Sequence, residues 1–266
     1  MKVTNRRQAI LKAVQAGMSD LNAICEKFGV SVATARRDLQ MLQQDGLLLR
    51  TYGGAVAQPI QHEPEEPLES RQTHYHAAKK KIARRAFRLL SEGDTIFIDA
   101  GTTTQFLARE IMPGAKFRIF TNNLLVVQTL AARSIPVAML GGDVRAGSMS
   151  VFGPLADHSL DRLTFDKVFT SADGVDAELG LCEGSAEQAW FKEKLFRRTR
   201  EIIVLATKEK LSRRSQMYWT PMNRAWMLVT DARVQDIQLQ PFTALPSVNV
   251  LQCAGDETET FILHEP

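Results

Sequence analysis

Three segments of the sequence carry the residue types that hold an anion. Asp99-Ala100-Gly101-Thr102-Thr103-Thr104 offers a carboxylate, a glycine that lets backbone approach a ligand, and three hydroxyls at the opening of a helix. Hydroxyls and the free N–H groups of a helix N-terminus are donors to phosphate. Thr121-Asn122 and Gly141-Gly142-Asp143-Val144-Arg145 repeat the pattern, small or polar residues directly after an apolar run. Lys192 and Lys210 are candidate cations for the same anion. Taken singly, such a loop is more often a turn with a helix cap, and each lysine more often a solvated side chain. Recurrence after three consecutive apolar runs favours one shared pocket.

Such loops need strands to hold them. The pattern predicts short buried strands at 95–99, 117–121, 136–140, 168–170, 202–206, 225–230 and 248–251, with helices at 104–111, 124–132 and 186–200. Alternation of this kind argues for a largely parallel sheet covered on both faces, in which ligands bind at the carboxyl ends of the strands. All three loops fall there.

A second constellation lies near the N-terminus, in Val30-Ser-Val-Ala-Thr-Ala-Arg-Arg-Asp-Leu-Gln-Met-Leu-Gln-Gln-Asp-Gly46. Ser31 is a good helix N-cap and Gly46 a good stop. Val32, Ala35, Leu39 and Leu42 recur on one side, toward a small core, which leaves Thr34, Arg36, Arg37 and Gln40 outside. A short helix with small residues in its first turn and paired arginines in its second suits the major groove of DNA. Alone it equally suits a solvated amphipathic helix. Its neighbours decide between the two: helices at 6–16 and from Ser19 to Phe28, then a tight turn at Gly29, give helix-turn-helix order. Residues 47–55 add a strand and a glycine turn, a wing from which Arg50 and Tyr52 face the DNA backbone.

Charge agrees with this division. Residues 1–56 hold eight Lys or Arg against four Asp or Glu, while the rest of the chain holds 25 against 26. The positive balance lies in the module that would touch phosphates. Cys25, Cys182 and Cys253 have no spacing for a metal or a disulfide framework, and no cofactor motif is present. No apolar run reaches the roughly 20 residues that span a bilayer, and the N-terminus lacks a signal peptide's apolar core. The cytoplasm is the expected compartment. The proline- and acid-rich stretch at 58–76 reads as a linker, followed by a helix whose Lys79-Lys80-Lys81 and Arg84-Arg85 suit a solvated face better than a second DNA patch. The acidic tail with Phe261-Ile262-Leu263 carries no functional reading.

With these residues in view, the sequence resembles the DeoR family of bacterial sugar-metabolism regulators. The Val-Ser-x-x-Thr-x-Arg-Arg-Asp-Leu run at residues 30–39, then Leu42, Gly46, Leu48, Arg50 and Gly53-Gly54-Ala55, carry the resemblance, with Ala35 where the family usually has isoleucine. It extends through Lys79-Lys80-Lys81-Ile82-Ala83, Asp99-x-Gly101-Thr102-Thr103, Thr121-Asn122, Gly141-Gly142, Gly153-Pro154, Asp166, Phe169, Gly174, Gly180, Lys192 and Lys210. It implies a winged helix-turn-helix domain at 1–57, then at 77–266 an α/β effector and oligomerisation domain similar to ribose-5-phosphate isomerase and coenzyme A transferase folds. By the same resemblance, a homodimer or homotetramer binds a double-stranded operator through Ser31, Thr34, Arg36, Arg37, Arg50 and Tyr52. Asp99 binds sugar hydroxyls, Gly101 to Thr104 the phosphate, and Lys192 and Lys210 add charge. Two departures bear on that pocket: Gln188 opens Gln-Ala-Trp-Phe-Lys where the family often has glutamate, and Thr207 stands where it often has an acid.

The expectation is therefore a transcriptional regulator, a repressor of carbohydrate genes controlled by a phosphorylated sugar. The rival is a sugar-phosphate isomerase or acyl transferase with an appended DNA-binding domain, using Asp99 or Asp143 as base with Glu183 or Glu187 nearby. A third reading is a second domain that only oligomerises.

Overall fold

The computed structural model describes residues 3–57, 63–253 and 261–262. The chain divides between residues 60 and 61 into two compact units. In the first, α1 (Val3–Gln15), α2 (Leu21–Phe28) and α3 (Val32–Gln44) are followed by a hairpin of β1 (Leu48–Thr51) and β2 (Gly54–Ala57). Each boundary has a local cause. The Asp20 carboxylate accepts from Ala23 N (2.9 Å), and Gly29 ends α2 in the left-handed region at φ 60°. The Ser31 hydroxyl accepts from Thr34 N (3.3 Å) to start α3. Ile10, Val14, Ile24, Ala35, Leu39, Leu42 and Leu48 form the core, where each large side chain contributes about 1.5–3 kcal/mol on burial. Val32, expected inward, is 40% exposed, because Asp38 takes an inward place on α3 instead.

The second unit starts earlier than a linker at 58–76 would allow. Residues 58–62 lie outside the described residues, but from Glu63 onward the chain lies against this unit: Glu63 N donates to Ser215 O (2.9 Å), and a short helix, α4 (Leu68–Thr73), follows. The acids and Arg71 that make this stretch unfit for a core are held by polar partners. Then come α5 (His76–Phe87), β3 (Thr95–Ile98), α6 (Thr102–Glu110), β4 (Arg118–Thr121), α7 (Leu124–Ala131) and β5 (Ala138–Met139). After a hairpin of β6 (Asp143–Arg145) and β7 (Ser150–Phe152) the order is α8 (Pro154–Leu160), β8 (Phe165–Thr170), β9 (Gly174–Asp176), β10 (Gly180–Glu183), α9 (Ala186–Arg197) and β11 (Thr199–Leu205). β12 (Tyr218–Thr220), β13 (Trp226–Thr230), β14 (Val248–Gln252) and β15 (Phe261–Ile262) follow.

The main sheet runs β15-β14-β13-β11-β8-β3-β4-β5, parallel throughout except for β15. Its strands are apolar on both faces. Ile96 and Ile98 of β3 join one core with Phe106, Leu107 and Phe169, while Phe97 joins the other with Phe165, Phe191 and Val204. That double burial is why the strands read as unbroken apolar runs. From β3 the chain winds outward to β4 and β5, then returns to place β8 on the other side of β3. The order therefore reverses between β3 and β8, and loops leaving their carboxyl ends part there, opening a crevice.

Two small antiparallel assemblies were not anticipated: the β6-β7 hairpin and the ribbon β12-β10-β9. They displace part of one expectation. Asp143 and Arg145 stand in a strand of the hairpin instead of in a loop ending a sheet strand, because residues 136–140 supply only the two-residue β5.

Candidate functional site

On the first unit, α3 and the wing leave a basic surface free. Ser31, Ala33, Arg36, Arg37 and Gln40 are exposed along α3, as are Arg50 and Tyr52 on the hairpin. The hydroxyls of Ser31 and Thr34 lie 2.9 Å apart, each occupying the other at the start of the helix. Arg36, Arg37 and Arg50 make no ion pair with any described residue, so their charge is open to a polyanion. Beneath them, Asp38 is 1% exposed and accepts from Arg6 Nε (2.7 Å) and Arg7 Nε (2.9 Å) of α1. Sequence reasoning missed this clamp. Its signal was present: positions 35, 38, 39 and 42 share a helix face, and one of them is acidic.

On the second unit, the crevice between β3 and β8 forms a polar recess. Asp99, Ala100, Gly101 and Thr102 from the β3 loop meet Ser171, Ala172 and Asp173 from the β8 loop. Glu183, Gln188, Lys192, Lys210, Ser148 and Arg71 close the sides. Three cationic groups thus face three carboxylates. Asp99 is fully buried: Oδ1 accepts from Ala100 N (2.7 Å) and Oδ2 from Thr170 Oγ1 (2.6 Å), with Lys192 Nζ at 3.5 Å. Lys192 Nζ also donates to Ser171 O and to Glu183 Oε1. Lys210 Nζ donates to Ala172 O.

Burial, reinforced by Asp173 and Asp99 and opposed by Lys192, pushes the Glu183 carboxyl up to about 7. Burial alone would lower Lys192, but Glu183 and Asp99 outweigh it and hold the ammonium above its ordinary range. Burial together with Arg71 and Lys192 lowers Lys210, against the pull of Asp173 and Glu183. Lys79, expected on a solvated face, is buried instead and donates to Arg71 O; burial, with Lys210 and Arg71 adding, brings it to about 8.

Of the anion-holding residues read from the sequence, the recess gathers Asp99, Gly101, Thr102, Lys192 and Lys210. Gly101 earns its place by its φ of 149° and because a Cβ there would stand 2.1 Å from Ser171 Oγ. The other residues do not line it. Thr104 Oγ1 donates to Asp99 O (2.7 Å), which shapes the loop, and Thr121 Oγ1 donates to Ile98 O (2.5 Å). Thr103 and Asn122 are fully buried, with side-chain atoms that have no partner among the described residues. Asp143 and Arg145 stand in the hairpin strand β6 beside the recess, and Gly141 and Gly142 lead into it. Arg71, Ser148 and Asp173 had no role in the sequence reading, and Glu183 only that of an acid–base candidate in the rival enzyme; they arrive from segments whose approach depends on the β3–β8 pairing. At the departures, Gln188 lines the recess and Thr207 is fully buried, its hydroxyl without a partner among the described residues.

A winged helix-turn-helix with a free basic surface, joined to an α/β unit with a charged recess at its sheet's switch point, defines a DNA-binding transcriptional regulator with a separate sensor domain. Family models agree on both halves: the DeoR-like helix-turn-helix domain matches residues 6–61 and the DeoR C-terminal sensor domain residues 74–232. The chain belongs to the DeoR family. It is 30% identical over 240 residues to the lactose phosphotransferase system repressor of Streptococcus mutans, covering 89% of this chain and 95% of that one. It is 28% identical over 234 residues to the glycerol-3-phosphate regulon repressor of Escherichia coli K12, covering 87% and 92%. These relatives are regulators, which removes the isomerase or acyl transferase alternative. The ribose-5-phosphate isomerase A of Methanocaldococcus jannaschii aligns over 51% of this chain and 54% of its own, with 18% identity and a TM-score of 0.38, a likeness too slight for any conclusion about chemistry.

Proposed function

We propose that this regulator is a repressor of carbohydrate-metabolism genes that leaves its operator when a phosphorylated sugar fills the recess. The observation that carries the reading is the pairing of hydroxyl-binding carboxylates with anion-binding cations in one crevice: Asp99 beside Gly101-Thr102, with Lys192, Lys210 and Arg71 around them. A sugar needs acceptors for its hydroxyls, and its phosphate needs cations and helix N–H groups. The names of the lactose phosphotransferase and glycerol-3-phosphate regulators point to the same class of metabolite.

Thr103, Thr104, Thr121 and Asn122 support the loops, and Gly141, Gly142, Asp143 and Arg145 border them. On DNA, Ser31 and Thr34 set the helix start, Arg36 and Arg37 read or grip the groove, and Arg50 and Tyr52 hold the backbone. The protein works in the cytoplasm as a homodimer or homotetramer on a repeated operator. The metabolite must bind the released state better than the bound one, since equal affinity shifts nothing.

Fluorescence anisotropy against DNA from beside the protein's own gene, with and without pooled sugar phosphates, tests this. Tight, salt-sensitive binding that the pool weakens supports the reading. Binding indifferent to the pool removes the metabolite, and binding without sequence preference removes the operator.

A further inference from the structure

The segment from Glu63 to Thr73 crosses the rim of the recess as a strap, and Glu65 is its innermost acid. Glu65 Oε1 lies 2.9 Å from Arg71 Nη2 and accepts from Arg145 Nη1 (3.2 Å), while Oε2 accepts from Arg145 Nη2. The carboxylate is 15% exposed. It fits because Gly184 has no side chain: a Cβ there would stand 2.9 Å from Glu65 Oε2.

One of these arginines lines the recess and the other touches its lining. Arg71 lines it, donates from Nη2 to Gly147 O (2.5 Å), and keeps a buried Nε with no partner among the described residues. Arg145 Nη1 donates to Ser148 Oγ (3.1 Å), a lining residue. The hydrogen bond and charge of Glu65 outweigh partial burial and raise the Arg145 guanidinium above its ordinary range. A carboxylate in a guanidinium fork has the geometry that a phosphate takes in the same fork. The chain has therefore seated one of its own anions on an arginine that lines the recess and on a second arginine beside it.

We propose that Glu65 is a built-in competitor: a phosphate group entering the recess displaces its carboxylate from Arg71 and Arg145, and this competition sets the concentration at which the site fills. The proposal rests on the recess being the effector site. No bond is made or broken beyond the exchange of one anion for another on the same donors.

Inorganic phosphate titrated calorimetrically into the full chain tests it. Removing the competing carboxylate frees donors of charge-assisted hydrogen bonds, so Glu65→Gln is expected to bind phosphate roughly tenfold more tightly than the wild type. Glu65→Ala, measured alongside, is expected to do the same, and folding of each variant is checked by its melting temperature. Adding Arg145→Ala to Glu65→Gln is expected to cancel the gain. Glu66→Gln removes equal charge from the same strap, but Glu66 pairs with His74 (2.6 Å) and neither arginine; it is expected to change affinity less than twofold. A gain in Glu66→Gln equal to that in Glu65→Gln overturns the proposal, since charge alone would explain it. Wild type and Glu65→Gln binding phosphate equally, with Lys210→Ala weakening both, overturns the competitor and leaves the recess reading intact. Absence of phosphate binding in wild type and Glu65 variants alike overturns both.

Discussion

At the scale of single residues, the recess is a problem in proton bookkeeping. Glu183 titrates near 7 in the folded protein, above the ordinary value near 4.5 that it regains on unfolding. The folded state therefore holds a proton that the unfolded state gives up, so stability falls as pH rises from about 4.5 to about 7. Melting temperatures across that window are expected to show this decline in the wild type, and a flatter profile in Glu183→Gln. On the other unit, Arg36, Arg37 and Arg50 face no described partner, and the charge of each is available to DNA. Replacing one phosphate-contacting arginine by alanine is expected to reduce the slope of log affinity against log salt by about 0.9, read by anisotropy at several salt concentrations. Much of this surface was legible from Arg-Arg at one helix face and the basic excess of residues 1–56. The burial of Glu183 was not, because nothing local to Glu-Gly-Ser says that Lys192 and Asp99 will close over it.

At the scale of elements, helix and strand periods were readable where one period governed a segment. The extents of α3, α7 and β13 lie within a residue or two of expectation, since caps and apolar runs are local. The β6-β7 hairpin and the β9-β10-β12 ribbon were missed because they are short and owe their existence to pairing across the fold. The charge of Asp38 was likewise visible, but its role depends on α1 arriving with Arg6 and Arg7. Asp38→Asn is expected to lower stability by about 2 kcal/mol, allowing for the partial exposure of both arginines, and to weaken operator binding although the loss of a negative charge by itself favours a polyanion, because α3 loses its seat on α1. Chemical denaturation paired with DNA titration separates the two effects. At Gly101, an alanine must adopt a φ that L-residues rarely take, at a cost of about 1–3 kcal/mol. The same denaturation measurement checks it, and loss of phosphate binding should accompany it.

At the scale of the whole molecule, the switch point between β3 and β8 explains why residues separated by more than a hundred positions share one recess. Alternation of strands and helices announced a parallel sheet, and with it the rule that ligands gather at carboxyl ends. It did not announce strand order, which is why Asp99 and Gly101 were found while Asp173 and Arg71 were not. One end of the sheet has a different kind of consequence. β15 pairs Phe261 with Leu251 and Ile262 with Val250, covering part of the outer edge of β14, whereas β5 at the other edge is only two residues long. An uncovered strand edge is a template for a neighbour's backbone. Residues with no reading of their own in the sequence thus shield part of that edge. A chain ended after Cys253 is expected to form particles larger than its native oligomer as concentration rises in light scattering, while the chain that keeps β15 is not.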